Sequence, residues 1–437
     1  MHKLIIKNFG PIESCEVKLN KITILIGPQS SGKSTISKLF YFFLHIRDEF
    51  SRFIIKEYEK DSNKLIIDFS KLIRRRFIEF WGPIPQDNDL YLKYYYNDDV
   101  FIEIKLDSAK HKFIDPTFSK NINDQLTRHV EEFKSKSVTN DGKFSFFNNA
   151  SVLANEMSST EKIENLINES KKLFNFKEEL LFIPAGRSLL STISDQLQNI
   201  HPHQLDYPMR IFIERINLTK SFFSKSLEDL VKEKQVLGDE GVWFSATRKV
   251  SSLIRKILKG EYIHDKEGGK LYINNKHFTK INFASSGQQE SIWILLSLFL
   301  VVLEKAKVKV FIEEPEAHLF PIAQKEIVEL MSYMAKTLET KFILTTHSPY
   351  VLSALNNHIY ANELGKNYPE KVAEIIHSNS WVKYNDIAGY FVSNGKLSNL
   401  CDDKLKVIKT EIVDSASDKI NLEYDNLFNI ENEVASR

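Results

Sequence analysis

Gly27-Pro28-Gln29-Ser30-Ser31-Gly32-Lys33-Ser34 follows directly on the apolar run Ile22-Thr23-Ile24-Leu25-Ile26 and leads into the helix-forming Ile36-Ser37-Lys38-Leu39-Phe40. G-x-x-x-x-G-K-S between a strand and a helix fixes the local fold tightly. Such a loop turns several backbone N–H groups toward one spot at the positive end of a helix, which makes a cradle for phosphate oxygens. At average composition the spacing arises at about one position in 10⁴–10⁵. A nucleotide is therefore expected on Gly27 to Thr35, with Lys33 neutralising the β- and γ-phosphates and the Ser34 hydroxyl on Mg²⁺.

A chain of 437 residues with 42% apolar content and 31 Phe can fill two or three domain cores, or one large domain with insertions. Lys plus Arg (59) balance Asp plus Glu (58), so no global field announces nucleic acid or an acidic membrane. Cys15 and Cys401 stand far apart outside any C-x-x-C pattern, which argues against a disulfide framework or a thiolate zinc site. The start, Lys3-Leu4-Ile5-Ile6-Lys7, lacks the pattern of a secretion signal. The longest apolar run, Ile292 to Leu303, falls short of the roughly 20 residues that span a bilayer and reads as a buried helix. The expectation is a cytoplasmic protein without a membrane partner.

Leu4-Ile5-Ile6 and Val17-Lys18-Leu19 flank Asn8-Phe9-Gly10-Pro11 like a hairpin, and Leu90 to Tyr96 and Val100 to Leu106 flank Asn97-Asp98-Asp99 in the same way. Leu180 to Ile183, Val308 to Ile312 and Phe342 to Thr345 read as buried strands, with a helix from Pro321 between the last two. This alternation predicts an α/β fold: a P-loop head with a mixed sheet, interrupted by a mainly helical insertion. The head is expected over 1–106 and 261–437, joined by strand 179–187, and the insertion over 107–178 and 188–260. No sustained heptad register supports a long coiled-coil arm.

Three further segments bear on chemistry. Phe311-Ile312-Glu313-Glu314-Pro315 places two carboxylates at the end of a buried strand, where open α/β sheets meet ligands. Glu313 suits Mg²⁺ and Glu314 suits polarisation of an attacking water. Ser286, Gly287 and Gln288, in Ala284-Ser285-Ser286-Gly287-Gln288-Gln289-Glu290, open the apolar helix at an anion-suited terminus. Thr345-Thr346-His347-Ser348-Pro349 puts an imidazole after the next strand. Each has a bland reading alone: a solvated strand end, an ordinary Ser cap, a surface histidine.

The order and spacing of the four segments resemble the ABC-type ATPases, within them the soluble SMC, RecF and OLD-like branch, whose members often read I-E-E-P-E-A-H-L-x-P. Ile312 to Pro321 matches that pattern at every fixed place. The resemblance covers the first 40 residues and roughly Tyr262 to Tyr360. It implies ATP and Mg²⁺ as cofactors and ATP hydrolysis, with Glu314 as general base and His347 as the switch histidine. It also implies a homodimer, or a higher oligomer of dimers, in which Ser286 and Gly287 of one head touch the γ-phosphate held by Lys33 of the other. Glu316 to Leu319 would then communicate across the dimer.

Three departures mark the chain. Glu313 stands where such ATPases usually carry Asp, the signature lacks a leading Leu, and the glutamine lid is not evident, with Gln196 and Gln198 its candidates. Pro184-Ala185-Gly186-Arg187 resembles a P-A-x-R element of OLD-like and defence-associated ATPases, with a structural and a phosphate-contact role for Arg187 equally open. No D-x-D pair follows His347, so a two-metal nuclease module is not expected. The make-up resembles the ATPase components of bacterial anti-phage defence, PtuA-type or AriA-type, acting with a separate effector protein. Rival readings are a nucleotide-gated scaffold that hydrolyses little, a RecF/SMC-like repair ATPase and a transporter subunit. DNA or RNA is a conceivable partner through Arg74-Arg75-Arg76, although a solvated face beside a core stripe fits that run better. His201-Pro202-His203 lacks a third ligand nearby and reads as a loop.

Overall fold

The computed structural model describes residues 2–57, 64–83, 89–106, 114–134, 160–192, 205–236, 242–274, 277–411 and 420–428. The chain opens with an antiparallel hairpin, β1 (Lys3–Phe9) and β2 (Ile12–Lys18), and runs through the wholly buried β3 (Ile22–Ile26) into the phosphate loop and α1 (Lys33–Glu57). Helix α2 (Leu65–Trp81) precedes a meander of β4 (Tyr91–Tyr95), β5 (Phe101–Leu106) and β6 (Ile114–Phe118). Helices α3 (Lys120–Lys134) and α4 (Thr160–Leu173) lead to β7 (Glu179–Ile183). Then come α5 (Arg187–Thr192), α6 (Tyr207–Thr219), α7 (Leu227–Val236) and α8 (Val242–Leu258). A small antiparallel sheet of β8 (Glu261–Asp265), β9 (Gly268–Tyr272) and β10 (Phe278–Lys280) introduces α9 (Ser286–Leu303). The remainder alternates: β11 (Val308–Glu313), α10 (Pro321–Thr337), β12 (Lys341–Thr346), α11 (Pro349–Leu364), β13 (Ile387–Ser393) and β14 (Lys396–Asn399).

Two sheets organise these elements. The central one has the order β14-β13-β3-β12-β11-β7, with β14 antiparallel to β13 and every other pair parallel. The other is the antiparallel β2-β1-β4-β5-β6. Strands buried on both faces read as near-continuous apolar runs, as β3 does apart from Thr23, and β11 is equally buried although it carries Lys309 and ends on Glu313. Because successive side chains leave a strand on opposite faces, Ile24 and Ile312 enter one core cluster while Leu25 and Phe311 enter the other. The first cluster lies under the helices that follow β7; the second joins the aromatic face of α1 and α2 to the antiparallel sheet.

The expected α/β P-loop head with a mixed sheet is what the chain forms. Segment 107–178, expected to be mainly helical, also carries a strand, β6, which pairs with β5 of the expected head. Pro116 argues against a strand in sequence, but β6 is the outermost strand, where a missing N–H is tolerated. Residues 205–258 do not stand apart from the head either: Phe212, Val231 and Ile254 are buried in the same cluster as Ile24. The apolar helix α9 is long enough to cross a membrane by length and composition, and it lies largely buried inside the molecule. Gln196, Gln198, His201 and His203 lie outside the described residues. Both cysteines are free thiols, Cys15 buried and Cys401 partly so.

Candidate functional site

The parallel registers bring the carboxyl ends of β3, β12, β11 and β7 to one edge of the central sheet, Ile26 beside Thr346, Thr345 beside Glu313 and Ile312 beside Ile183. Everything the sequence singled out on these strands therefore converges on one rim. In the phosphate loop Pro28, Gln29 and Ser30 are exposed, whereas Ser31, Gly32 and Lys33 are buried and Ser34 opens to solvent on the first turn of α1. Gly32 has φ +106°, and a Cβ there would lie 2.4 Å from Ile12 Cδ1, so no other residue fits. The Lys33 ammonium folds under the loop and donates to the carbonyls of Gly27 (3.0 Å) and Pro28 (2.7 Å). Burial lowers its pKa, against the attraction of Glu314 and Glu316. Thr35 is half-buried behind the loop.

Glu313 ends β11 almost fully buried. Its Oε2 accepts the Ala185 N–H at 3.1 Å, while Oε1 is buried with no hydrogen-bond partner. A buried acceptor left unsatisfied is rare and costs about 1–3 kcal/mol, so this oxygen fits a cation or its water shell. Among the described residues no cluster of three or more His, Cys, Asp or Glu could hold a metal alone. Together, Glu313 Oε1 and the exposed Ser34 hydroxyl suit Mg²⁺, which binds through one or two protein oxygens plus substrate phosphates.

Glu314 leaves the strand with φ +47°, left-handed for a non-glycine, and its half-exposed carboxylate lies 3.7 Å from His347 Nε2. Such backbone persists only when its surroundings hold it. Here the Glu314 N–H donates to Thr345 O (2.9 Å), and its carbonyl accepts from Ala317 N (3.1 Å) and Arg187 Nη2 (2.9 Å).

Arg187 resolves in favour of structure. Fully buried, its guanidinium also donates to the carbonyls of Pro184, Glu313 (2.7 Å) and Glu290 (2.9 Å). The Glu290 carboxylate returns the contact, accepting the backbone N–H groups of Arg187 (3.1 Å) and Ser188 (2.9 Å). One side chain thus ties the ends of β7 and β11 to the first turns of α9. Glu290 went unnoticed in the sequence, though a carboxylate inside so apolar a helix had to find a buried partner. Arg187→Met should lower the unfolding free energy by about 3–5 kcal/mol, because it leaves the Glu290 carboxylate buried without the guanidinium that stands 3.3 Å from it; denaturant titration checks this.

Two assignments shift. The cap of α9 is Ser285, in a capping box with Gln288, and Gln288 further donates from its amide to Leu258 O at 2.9 Å. Gln288 is therefore engaged within its own molecule, backbone N–H included, and the donors at the tip reduce to Ser286 and Gly287. Ser286 is exposed. Gly287 presses on the turn after Glu314: a Cβ there would lie 2.6 Å from the His318 carbonyl oxygen. Glu316, placed by resemblance in a communicating loop, is instead buried and anchors the histidine loop, accepting from Thr346 Oγ1 (2.7 Å) and His347 N (2.8 Å). The arginine run is also occupied. Arg74 donates to Ile114 O (2.7 Å), and Arg76 pairs with Glu49 (3.0 Å) and Glu79 (2.7 Å), which leaves Arg75 alone exposed.

The AAA ATPase domain family matches residues 1–352. No curated protein matches the chain. Among solved structures, the SMC head bound to the C-winged helix domain of ScpA aligns at 13% identity over 92% of this chain and 98% of that one, with TM-score 0.40. The SMC head domain from Thermotoga maritima aligns at 12% identity, covering 91% and 97%, with TM-score 0.36. The Smc head domain with an extended coiled coil, bound to the C-terminal domain of ScpA from Pyrococcus furiosus, gives 13%, 95%, 100% and 0.37.

Proposed function

From a chain that belongs to the AAA ATPase domain family, and so is an ATPase, we propose a head that closes on a second copy of itself around ATP and opens on hydrolysis. Lys33 and the loop N–H groups hold the β- and γ-phosphates. Ser34 and Glu313 would hold Mg²⁺, which when bound offsets the charge of the phosphate oxygens. Glu314 takes the proton of the attacking water, and His347, beside it, faces the γ-phosphate. Glu316 keeps the His347 backbone in place through the contacts described above. Ser286 and Gly287 of the second copy complete the site from outside.

The observation that carries the pairing is the apolar character of the ATP rim. Phe283 and Phe320, each 76% exposed, flank the Ser286 tip and the turn after Glu314, and Ile322 and Tyr350 are exposed on the adjoining helix starts. Large apolar side chains gathered around a charged site mark a contact surface. Ser286→Arg tests it, since a long cation at this exposed first-turn position leaves the fold alone. ATP affinity should stay within about threefold while ATP-induced dimerisation, read by light scattering, disappears; unchanged dimerisation removes the opposed-head arrangement.

On the sequence resemblance alone, the reading extends to the regulatory ATPase of a two-component anti-phage system with a separate effector. Co-expression with the neighbouring gene in a plaque assay tests that step; protection that survives Glu314→Gln and Lys33→Ala would contradict it.

A further inference from the structure

The opposite edge of the central sheet carries a second, unassigned basin. A cavity of about 490 Å³ opens where β3, β7, β11 and β12 begin, lined by Lys21, Lys177, Lys307, Lys309 and Lys341 against two carboxylates, Glu178 and Glu339. Its volume is that of a small-molecule site. Strand lengths of five or six residues put it about 15–20 Å from the phosphate loop.

Lys309 makes this more than a basic surface. It is 3% exposed, sits second in β11 beside Lys341 of β12, and lines the cavity. No hydrogen bond reaches its ammonium among the described residues; it lies 4.7 Å from the centre of the Phe176 ring, which Arg47 shares at the same distance. Glu178, the carboxylate that attracts it, is also paired with Lys341. His2 lends no charge, because burial pushes it down to about 3 and both ring nitrogens are bonded, to Asn175 O and the Tyr94 hydroxyl. A ring face compensates an ammonium only in part, and a buried cation that must share the Glu178 carboxylate with Lys341 is costly. Burial, with Lys341 and Arg47 nearby and against the attraction of Glu178, brings the Lys309 pKa down to about 7.

We propose that this cavity is a binding site for a small phosphate-bearing anion, of diphosphate or nucleotide size, held by the Lys309 ammonium within and by Lys177 and Lys307 at the exposed rim. Such a site lies apart from the ATP rim and needs no second copy.

Inorganic pyrophosphate is the probe, titrated calorimetrically into full-length Lys33→Ala protein so that the phosphate loop does not compete. Binding is expected there, weakened at least tenfold when Lys309→Met is added. Met keeps the length and apolar stem of the side chain, and replacing a buried charge by an apolar residue of similar volume is often stabilising. Should the double variant fail to fold, Lys177→Glu with Lys307→Glu at the rim gives the same reading without touching the core. Coincident isotherms with and without the cavity substitution, or no pyrophosphate uptake by Lys33→Ala protein, would overturn the site. In the otherwise native chain, Lys309→Met leaves ATP turnover unchanged.

Discussion

Glu314→Gln protein will bind ATP as the native chain does and turn it over about 10³-fold more slowly, within the range that loss of a positioned general base produces. The substitution replaces one carboxylate oxygen by an NH2 group, removing the charge and the basicity at nearly constant shape. The backbone at this residue is held through its own N–H and carbonyl, by Thr345, Ala317 and Arg187, and not through the carboxylate. The side chain projects half-exposed toward the rim, with His347 Nε2 at 3.7 Å as its close polar neighbour. Folding is therefore insensitive to the change, and the whole effect falls on proton transfer from water. Steady-state phosphate release and equilibrium ATP binding, measured separately, check the two halves. Turnover within tenfold of the native rate would remove Glu314 from the chemistry. If native protein itself binds ATP tightly without releasing phosphate, the nucleotide-gated scaffold becomes the better account. If hydrolysis opens the head pair as proposed, Glu314→Gln should also accumulate as an ATP-bound dimer.

Much of this site was legible because each part is a short contiguous string at the end of a buried strand. The phosphate loop, Glu313-Glu314 and Thr346-His347 need only their own strands to pair in register, and the apolar runs before them show that they do. What escaped depends on contacts between distant positions. Arg187 and Glu290 lie 103 residues apart, and nothing local to either says that they meet. Glu316 looked like part of a loop motif, yet its two hydrogen bonds go to residues beyond a whole helix. Strand β13 pairs in parallel with β3 across most of the chain, a pairing that periodicity cannot specify because any apolar strand could take that edge. The cap of α9 shows a finer limit: Ser285 and Ser286 are equally good caps by type, and only backbone geometry selects the first, freeing the second. The arginine run was ambiguous for the same reason, since Glu49 and Asp115 become its partners only once α1, α2 and β6 pack together.

Lys33→Ala should abolish ATP binding at ordinary concentrations, an affinity loss of about 10³-fold, equivalent to about 4 kcal/mol. The ammonium is the one cation inside the loop, and its contacts, the Gly27 and Pro28 carbonyls and the Ser31 hydroxyl at 3.5 Å, all belong to the loop itself. It therefore shapes the cradle as well as neutralising what enters. Truncation leaves inward-facing carbonyls with no intervening charge, so the loop becomes net repulsive toward a polyphosphate, beyond losing its strongest attraction. Depression of the Lys33 pKa by burial points the same way: the charge is held at a desolvation cost that a bound phosphate, with Glu314 and Glu316 beyond it, offsets. Binding of a fluorescent ATP analogue, with circular dichroism to confirm an intact fold, decides the matter. Micromolar affinity retained by a folded Lys33→Ala protein would place the nucleotide elsewhere, and the roles given to Ser34, Glu313 and Glu314 would fall with it, since all three are defined by where the phosphates lie.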